Sequence, residues 1–360
     1  MKTVFNLCRK TGRTGPLLAA ALFFAANPVM AQTKFVVQHG SPVYTFDLIG
    51  QIVAQQAGFY KEEGLDVEIR NTANASTALQ LVASNSADVT HSTVEPLLFG
   101  YEHGIRGKII IQTNQRVIYS IAVPASSKIT KVADLQGLKI GVSNLGSASV
   151  IVAKTILAGA NVSVTPDTFL PVGVGDQALV ALRTGKVQAF SLWDGPYGAM
   201  ERSGQSFIYF RHPALTGYGN FAAITSDTTL ASKKKELCGY GRGMAKGTLF
   251  AIENPEAALK MYWKINPGAK VPAGDTEAMK AAVAELRFNT GPMNKGFAPG
   301  EKYGVINEAA LKQYADLLFK DKNALDKVPP MANIQSNALS DCINDFDRQA
   351  VRKIAQEWHS

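Results

Sequence analysis

The side chains with chemistry to offer sit in short clusters, each following an apolar run. Asn74-Ala75-Ser76-Thr77 and Gly146-Ser147-Ala148-Ser149 set hydroxyls and an amide just ahead of helical stretches. The first N–H groups of a helix have no partner inside it, so such clusters bind an anion without a cationic side chain. A plainer role competes. Ser, Thr and Asn also cap their own helices, and Ser76 or Thr77 is the expected cap for the helix that begins there. Further clusters are Gly40-Ser41-Pro42-Val43-Tyr44, Ser92-Thr93-Val94-Glu95, Val172-Gly173-Val174-Gly175-Asp176 and Trp193-Asp194-Gly195. Trp193 and Tyr44 offer flat faces to an aromatic or apolar ligand. Asp194 and Glu95 would favour an amine, amidine or aminopyrimidine over a bare sulfonate or nitrate. Either acid has another use open to it, capping a helix or pairing with Arg116 or Arg183.

Catalytic chemistry finds little support. Among the five histidines, His39 and His91 both end predicted strands, His103 lies nearby, and His212 and His359 are isolated. A paired role for His39 and His91 competes with ordinary turn hydrogen bonding. The chain has no Gly-x-Ser-x-Gly elbow, no Gly-rich phosphate loop and no metal-ligand spacing. It reads as a binder with no catalysis, cofactor or metal.

The elements that must position these clusters repeat. Ala78-Leu79-Gln80-Leu81-Val82-Ala83-Ser84-Asn85-Ser86-Ala87-Asp88-Val89 is echoed about 100 residues later by Ala178-Leu179-Val180-Ala181-Leu182-Arg183-Thr184-Gly185-Lys186-Val187-Gln188-Ala189. Each copy reads as a helix, a residue that tolerates positive φ, then a strand. The spacing predicts strands at 35–39, 65–70 and 87–91, with helices at 47–58 and 76–84 between them. A second set follows: strands at 138–143, 168–172, 187–192 and 206–210, and helices at 148–158 and 176–184. Alternation of this kind predicts α/β lobes, each a mostly parallel sheet flanked by helices. Beyond 222 the pattern is helical, at 232–253, 255–265, 274–287, 307–320 and 347–358, with 321–345 polar and irregular. These helices have no strands of their own and are expected to return to the first lobe. The predicted organisation is a segment 1–31, then lobe 1 from 32–118 plus 222–360, and lobe 2 from 119–221. Crossings are placed near 115–122 and 217–224. Pockets favour the junction of two lobes and the carboxyl ends of parallel strands, so the clusters above converge on one cleft, with closure as its switch.

The first 31 residues read as a cleavable export signal. Lys2, Arg9, Lys10 and Arg13 precede an apolar core at 17–26, and Val29-Met30-Ala31 predicts cleavage before Gln32. An uncleaved membrane anchor is the competing reading. Removal takes four of the eight net positive charges, leaving about +4, and no basic stripe with interleaved aromatics suggests nucleic acid. The full chain is 46% hydrophobic, enough for full cores in both lobes. A periplasmic location makes a Cys238–Cys342 disulfide available, with two separately buried thiols as the alternative.

Ala57-Gly58-Phe59-Tyr60-Lys61-Glu62-Glu63-Gly64-Leu65-Asp66-Val67 resembles the signature of substrate-binding proteins of the nitrate/sulfonate/taurine ABC transporter family, which also holds binders of thiamine pyrimidine precursors. Asp134-Leu135-Gln136-Gly137-Leu138-Lys139-Ile140-Gly141-Val142 and Gly185-Lys186-Val187-Gln188-Ala189-Phe190 extend the likeness, which covers roughly 35 to 260. The resemblance implies a two-lobed type II periplasmic binding protein fold, here with a helical C-terminal extension. It also implies a monomer that closes on a small organic ligand and docks on an inner-membrane permease. The two helix starts place a sulfonate, taurine-like or aromatic anion first, with an aminopyrimidine thiamine precursor as the alternative. An enzyme of thiamine pyrimidine synthesis ranks lower, since the cysteine-rich iron site of that type is missing from this sequence.

Overall fold

A computed structural model describes residues 31–114, 116–215, 217–320 and 327–358. The expected export signal, up to residue 30, and His359 lie outside the described residues.

The N-terminal part runs β1 (Thr33–His39), α1 (Ile49–Gln56), α2 (Phe59–Glu62), β2 (Leu65–Asn71), α3 (Ala75–Ala83), β3 (Val89–Thr93), α4 (Glu95–Gly100) and β4 (Lys108–Gln112). Phe35 and Val37 of β1, and Leu65 and Val67 of β2, enter the core at period two; Ile49, Ile52 and Val53 enter it at helical spacing. The next part repeats the plan with β5 (Tyr119–Pro124), β6 (Ile140–Val142), α5 (Ala148–Ala158), β7 (Phe169–Pro171), α6 (Asp176–Arg183), β8 (Ala189–Trp193), α7 (Asp194–Arg202) and β9 (Phe207–Phe210). The echo in the sequence is an echo in the backbone. Asn85 (φ 56°) and Gly185 (φ 72°) both turn left-handed after their helices, a conformation these two residue types tolerate.

After β10 (Phe221–Thr225) come α8 (Asp227–Ser232), α9 (Lys234–Glu253), α10 (Pro255–Ile265), α11 (Thr276–Thr290), α12 (Glu308–Lys320), α13 (Met331–Ile334), α14 (Ser340–Asn344) and α15 (Arg348–Gln356). The stretch read as irregular therefore carries α13 and α14 in its described part. None of the described helices is long and apolar enough to cross a membrane.

The two sheets have the orders β2-β1-β3-β10-β4 and β7-β6-β8-β5-β9, which are the same pattern. β1 pairs in parallel with β2 and β3, and β6 does so with β7 and β8. One strand in each sheet runs the other way: β10 is antiparallel to β3 and β4, and β5 to β8 and β9. The reason is topological. β5 and β10 are the strands that follow a crossing, so each enters its sheet from the carboxyl ends of the others and must run against them. β4, β5 and β10 escape the sequence reading because Ile109-Ile110-Ile111, Ile121-Ala122-Val123 and Ala222-Ala223-Ile224 are buried throughout and show no alternation. β5 and β10 also take up part of the stretches read as crossings, leaving 113–118 and 211–220 as the connections.

α9 lies along α1 and buries Leu237, Tyr240, Met244 and Phe250 with Ile49, Ile52, Val53 and Phe59. A disulfide joins Cys238 of α9 to Cys342 of α14. α11 and α12 go further than a return to the first sheet. α12 touches α5, and Glu285 of α11 forms an ion pair with Arg202 of α7.

Candidate functional site

The carboxyl ends of β1, β6 and β8 and the starts of α3 and α5 meet around a narrow pocket of about 350 Å³, open mouth included, of which about 20 Å³ has room for water. Gly40, Ser41 and Pro42 follow β1, Ala73, Asn74 and Ala75 open α3, and Ser143, Ser147 and Ala148 lead into α5. Trp193 closes one side from the end of β8. Ile118 from the first connection, Tyr119 at the start of β5 and Phe221 at the start of β10 close another. Asp47 contributes the pocket's one carboxylate, and no lysine or arginine is among its described lining residues.

Asp47 is held firmly. His39 Nε2 lies 2.9 Å from Asp47 Oδ2, and Thr45 donates its hydroxyl to Asp47 Oδ1. His39 Nδ1 faces Asn71 Oδ1 at 3.1 Å, so the ring is fixed at both nitrogens. Asp47 also faces a smaller adjoining cavity with Arg116, but Arg116 donates to Asp194 Oδ2, and Arg211 reaches Asp194 Oδ1 at 3.0 Å. His91 does not reach the pocket. Burial holds its pKa down to about 3; Nε2 meets Thr113 Oγ1 at 3.0 Å, and the ring packs edge-on against Phe221.

The pocket brings together Ser41, Asn74, Ser147, Ala148 and Trp193 from the sequence candidates. Val43, Tyr44 and Val174 instead line an outer cavity of about 1800 Å³, open mouth included, between α7 and the α10–α11 region. The other candidates stand behind or beside the pocket. Ser76 donates to the Gly146 carbonyl at 3.4 Å, and Ser92 lies buried beneath Gly40. Ser149 is buried with its hydroxyl 2.9 Å from that of Ser147. Thr93 faces the Tyr119 hydroxyl at 3.5 Å. Asp194 is taken by its two arginines.

Glu95 is fully buried; Asn220 Nδ2 donates to its Oε1 at 2.5 Å, the Tyr314 hydroxyl donates to the same oxygen, and no cation pairs with it among the described residues. Burial pushes its carboxyl above the ordinary range, with the Tyr314 and Asn220 hydrogen bonds acting against that rise. Asn220 also accepts the Ile118 N–H at 3.1 Å, so one side chain ties the two crossings together.

One expectation is corrected. The cap of α3 is Asn74, not Ser76 or Thr77: Asn74 Oδ1 accepts the Thr77 N–H at 2.9 Å. α5 is capped by Ser147, which accepts the Ser149 N–H. Asn74 and Asn144 also meet across the cleft, with Asn74 Nδ2 donating to Asn144 Oδ1 at 3.2 Å and Asn144 Nδ2 donating to the Ala73 carbonyl at 3.2 Å. Sequence reasoning missed Asp47, Ser143, Ile118, Tyr119 and Phe221. The crossings must pass the cleft in any two-lobed chain, which is the signal that would have found the last three.

Residues 45–258 match the sequence pattern of the family described as NMT1/THI5 like. The chain belongs to this NMT1/THI5-like family. It is 24% identical over 257 residues to the formylaminopyrimidine-binding protein of Halalkalibacterium halodurans, spanning 67% of this chain and 74% of that relative. Its fold is similar to the alkanesulfonate-binding protein SsuA of Xanthomonas axonopodis pv. citri bound to MOPS, with TM-score 0.63, 16% identity and coverage of 85% of this chain and 100% of that one. It is also similar to the periplasmic nitrate-binding protein NrtA of Synechocystis PCC 6803, with TM-score 0.56, 13% identity and coverage of 91% and 99%. The NMT1/THI5-like chain described here thus has the two-lobed periplasmic binding protein fold, with the pocket where the carboxyl ends of both sheets meet.

Proposed function

We propose that this protein is the solute-binding component of an ABC importer and that its inner pocket takes a flat nitrogen heterocycle of the aminopyrimidine class. One observation carries the choice of ligand. Asp47 faces a pocket walled by Trp193, Tyr119 and Phe221, with no lysine or arginine among the described lining residues. An exocyclic amine can donate to that carboxylate while the ring stacks on the aromatic faces. A sulfonate would meet the same carboxylate without a balancing cation. The helix starts that place an anion first are partly committed, since Asn74 and Ser147 accept from their own helices. The name of the Halalkalibacterium relative supports the same ligand class.

In this reading lobe 1, residues 32–118 plus 222–360, and lobe 2, residues 119–221, open to admit the solute and close around it. The closed, monomeric protein then presents the solute to the permease. Residues 1–31 direct the chain to the periplasm, and no chemical step occurs. The test is thermal shift of residues 32–360 against aminopyrimidines, alkanesulfonates, taurine and aromatic carboxylates. A ligand at about 1,000 times its Kd stabilises the folded state by about 4 kcal/mol, a shift of several degrees. The expected hit is an aminopyrimidine, with Asp47→Asn weakening it about 10- to 100-fold. A hit confined to sulfonates or carboxylates, undiminished by Asp47→Asn, would reject the assignment.

A further inference from the structure

α7 carries two glycines in nine residues, Gly195 and Gly198, although glycine is a poor helix former. They lie three apart and so share a face. A Cβ on Gly195 would run into the Thr45 side chain, and one on Gly198 into the Glu285 carboxylate. Both glycines therefore admit a close approach, of Thr45 to Gly195 and of the Glu285 carboxylate to Gly198, at the edge of the outer cavity that Gly195, Thr45, Arg202 and Glu285 also line. On the facing side, Glu285 and Phe288 of α11 are also three apart. Glu285 pairs with Arg202 at the C-terminal end of α7. The Phe288 ring lies 4.3 Å from the Arg116 guanidinium, which in turn holds Asp194 at the N-terminal end of α7. α11 thus holds α7 directly at its C-terminal end and through Arg116 at its N-terminal end, outside the inner pocket.

We propose that the glycine face of α7 and the Arg202–Glu285 pair form a latch that sets how far the lobes close, independently of contact with the solute. The latch rests on the closure reading above but not on the identity of the ligand. None of its residues lines the inner pocket, and the one link to that pocket among the described residues is the Thr45 hydroxyl, which donates to Asp47. Both members of the ion pair are partly shielded, with side chains 33% and 16% exposed, which strengthens their attraction relative to a fully solvated pair.

The experiment is ligand-free. Spin labels are placed at the exposed positions of Lys61→Cys and Lys186→Cys, one on each lobe, and the distance between them is measured by pulsed electron resonance. Arg202→Glu and Glu285→Arg should each lengthen and broaden the distance, and the combined charge swap should restore it. Gly198→Ala should also lengthen it, while the melting temperature holds or rises because alanine is the better helix former. The latch is overturned if the single reversals leave the distance unchanged, or if the swap stays as open as either one. A Gly198→Ala protein that closes normally would remove the glycine face from the device. An aminopyrimidine that fails to bind would leave all of these distances as they are, so the two readings fail separately.

Discussion

At the scale of single residues, Glu95 is the acid whose surroundings deviate furthest from water. Its neighbours are the Tyr314 hydroxyl, Asn220, Thr93 and Tyr119, and none of them is a cation. Because burial raises its folded pKa, the folded state keeps a proton that the unfolded chain releases above the ordinary value of 4.5. Stability linked to Glu95 is therefore full below that value and is lost as pH rises toward the folded pKa. Glu95→Gln, which keeps the shape and the acceptor oxygen, should abolish this slope, so the variant gains on the natural protein as pH rises. Urea unfolding of both proteins across a pH series measures the difference; parallel curves would mean that Glu95 is ionised in the fold. Asp47 shows the opposite arrangement, an acid that lines the pocket with its two oxygens secured by His39 and Thr45.

At the scale of elements, α3 shows how one residue serves both its own helix and the opposite lobe. Asn74 caps the helix through Oδ1 and bridges the cleft through Nδ2. Losing a cap costs about 1 kcal/mol, whereas Asn144 gives up no cap when replaced, only the bridge to Asn74 and a solvent-exposed bond to the Ala73 carbonyl that contributes little. Asn74→Ala should thus destabilise the ligand-free protein by about 1 kcal/mol more than Asn144→Ala does, as read from denaturant unfolding. Equal losses would assign the cap no energetic role. β5 and β10 make a related point. They are ordinary buried strands by composition, yet each is reversed because the chain arrives from the other lobe, and their entry points bring Ile118, Tyr119 and Phe221 to the pocket.

For the molecule as a whole, the C-terminal third works as a brace. The disulfide between Cys238 and Cys342 closes a loop of 104 residues and ties α9, which lies along α1, to α14 near the end of the chain. Constraining the unfolded chain over such a span is worth about 2–4 kcal/mol. Replacing both cysteines by serine should lower unfolding stability by about that amount without moving the pocket. Unchanged stability in urea would show that helix packing alone suffices to hold the segment.

The duplicated helix–turn–strand segment was enough to read two α/β units, since core spacing and left-handed turn residues are local properties written in residue order. Their common strand order, 2-1-3 followed by a reversed strand, follows from that repeat together with two crossings. Ser41, Asn74, Ser147, Ala148 and Trp193 were also legible, because a strand's carboxyl end and a helix start can be located along the chain. The pairing of Asp194 with Arg116 and Arg211, the burial of Glu95 against Tyr314, and the place of Asp47 in the pocket lining were not. Each depends on groups brought together from far along the chain, up to 219 residues in the case of Glu95 and Tyr314. Periodicity reports which side of an element is apolar; which charge meets which across the cleft is settled only when the two lobes and the C-terminal helices pack.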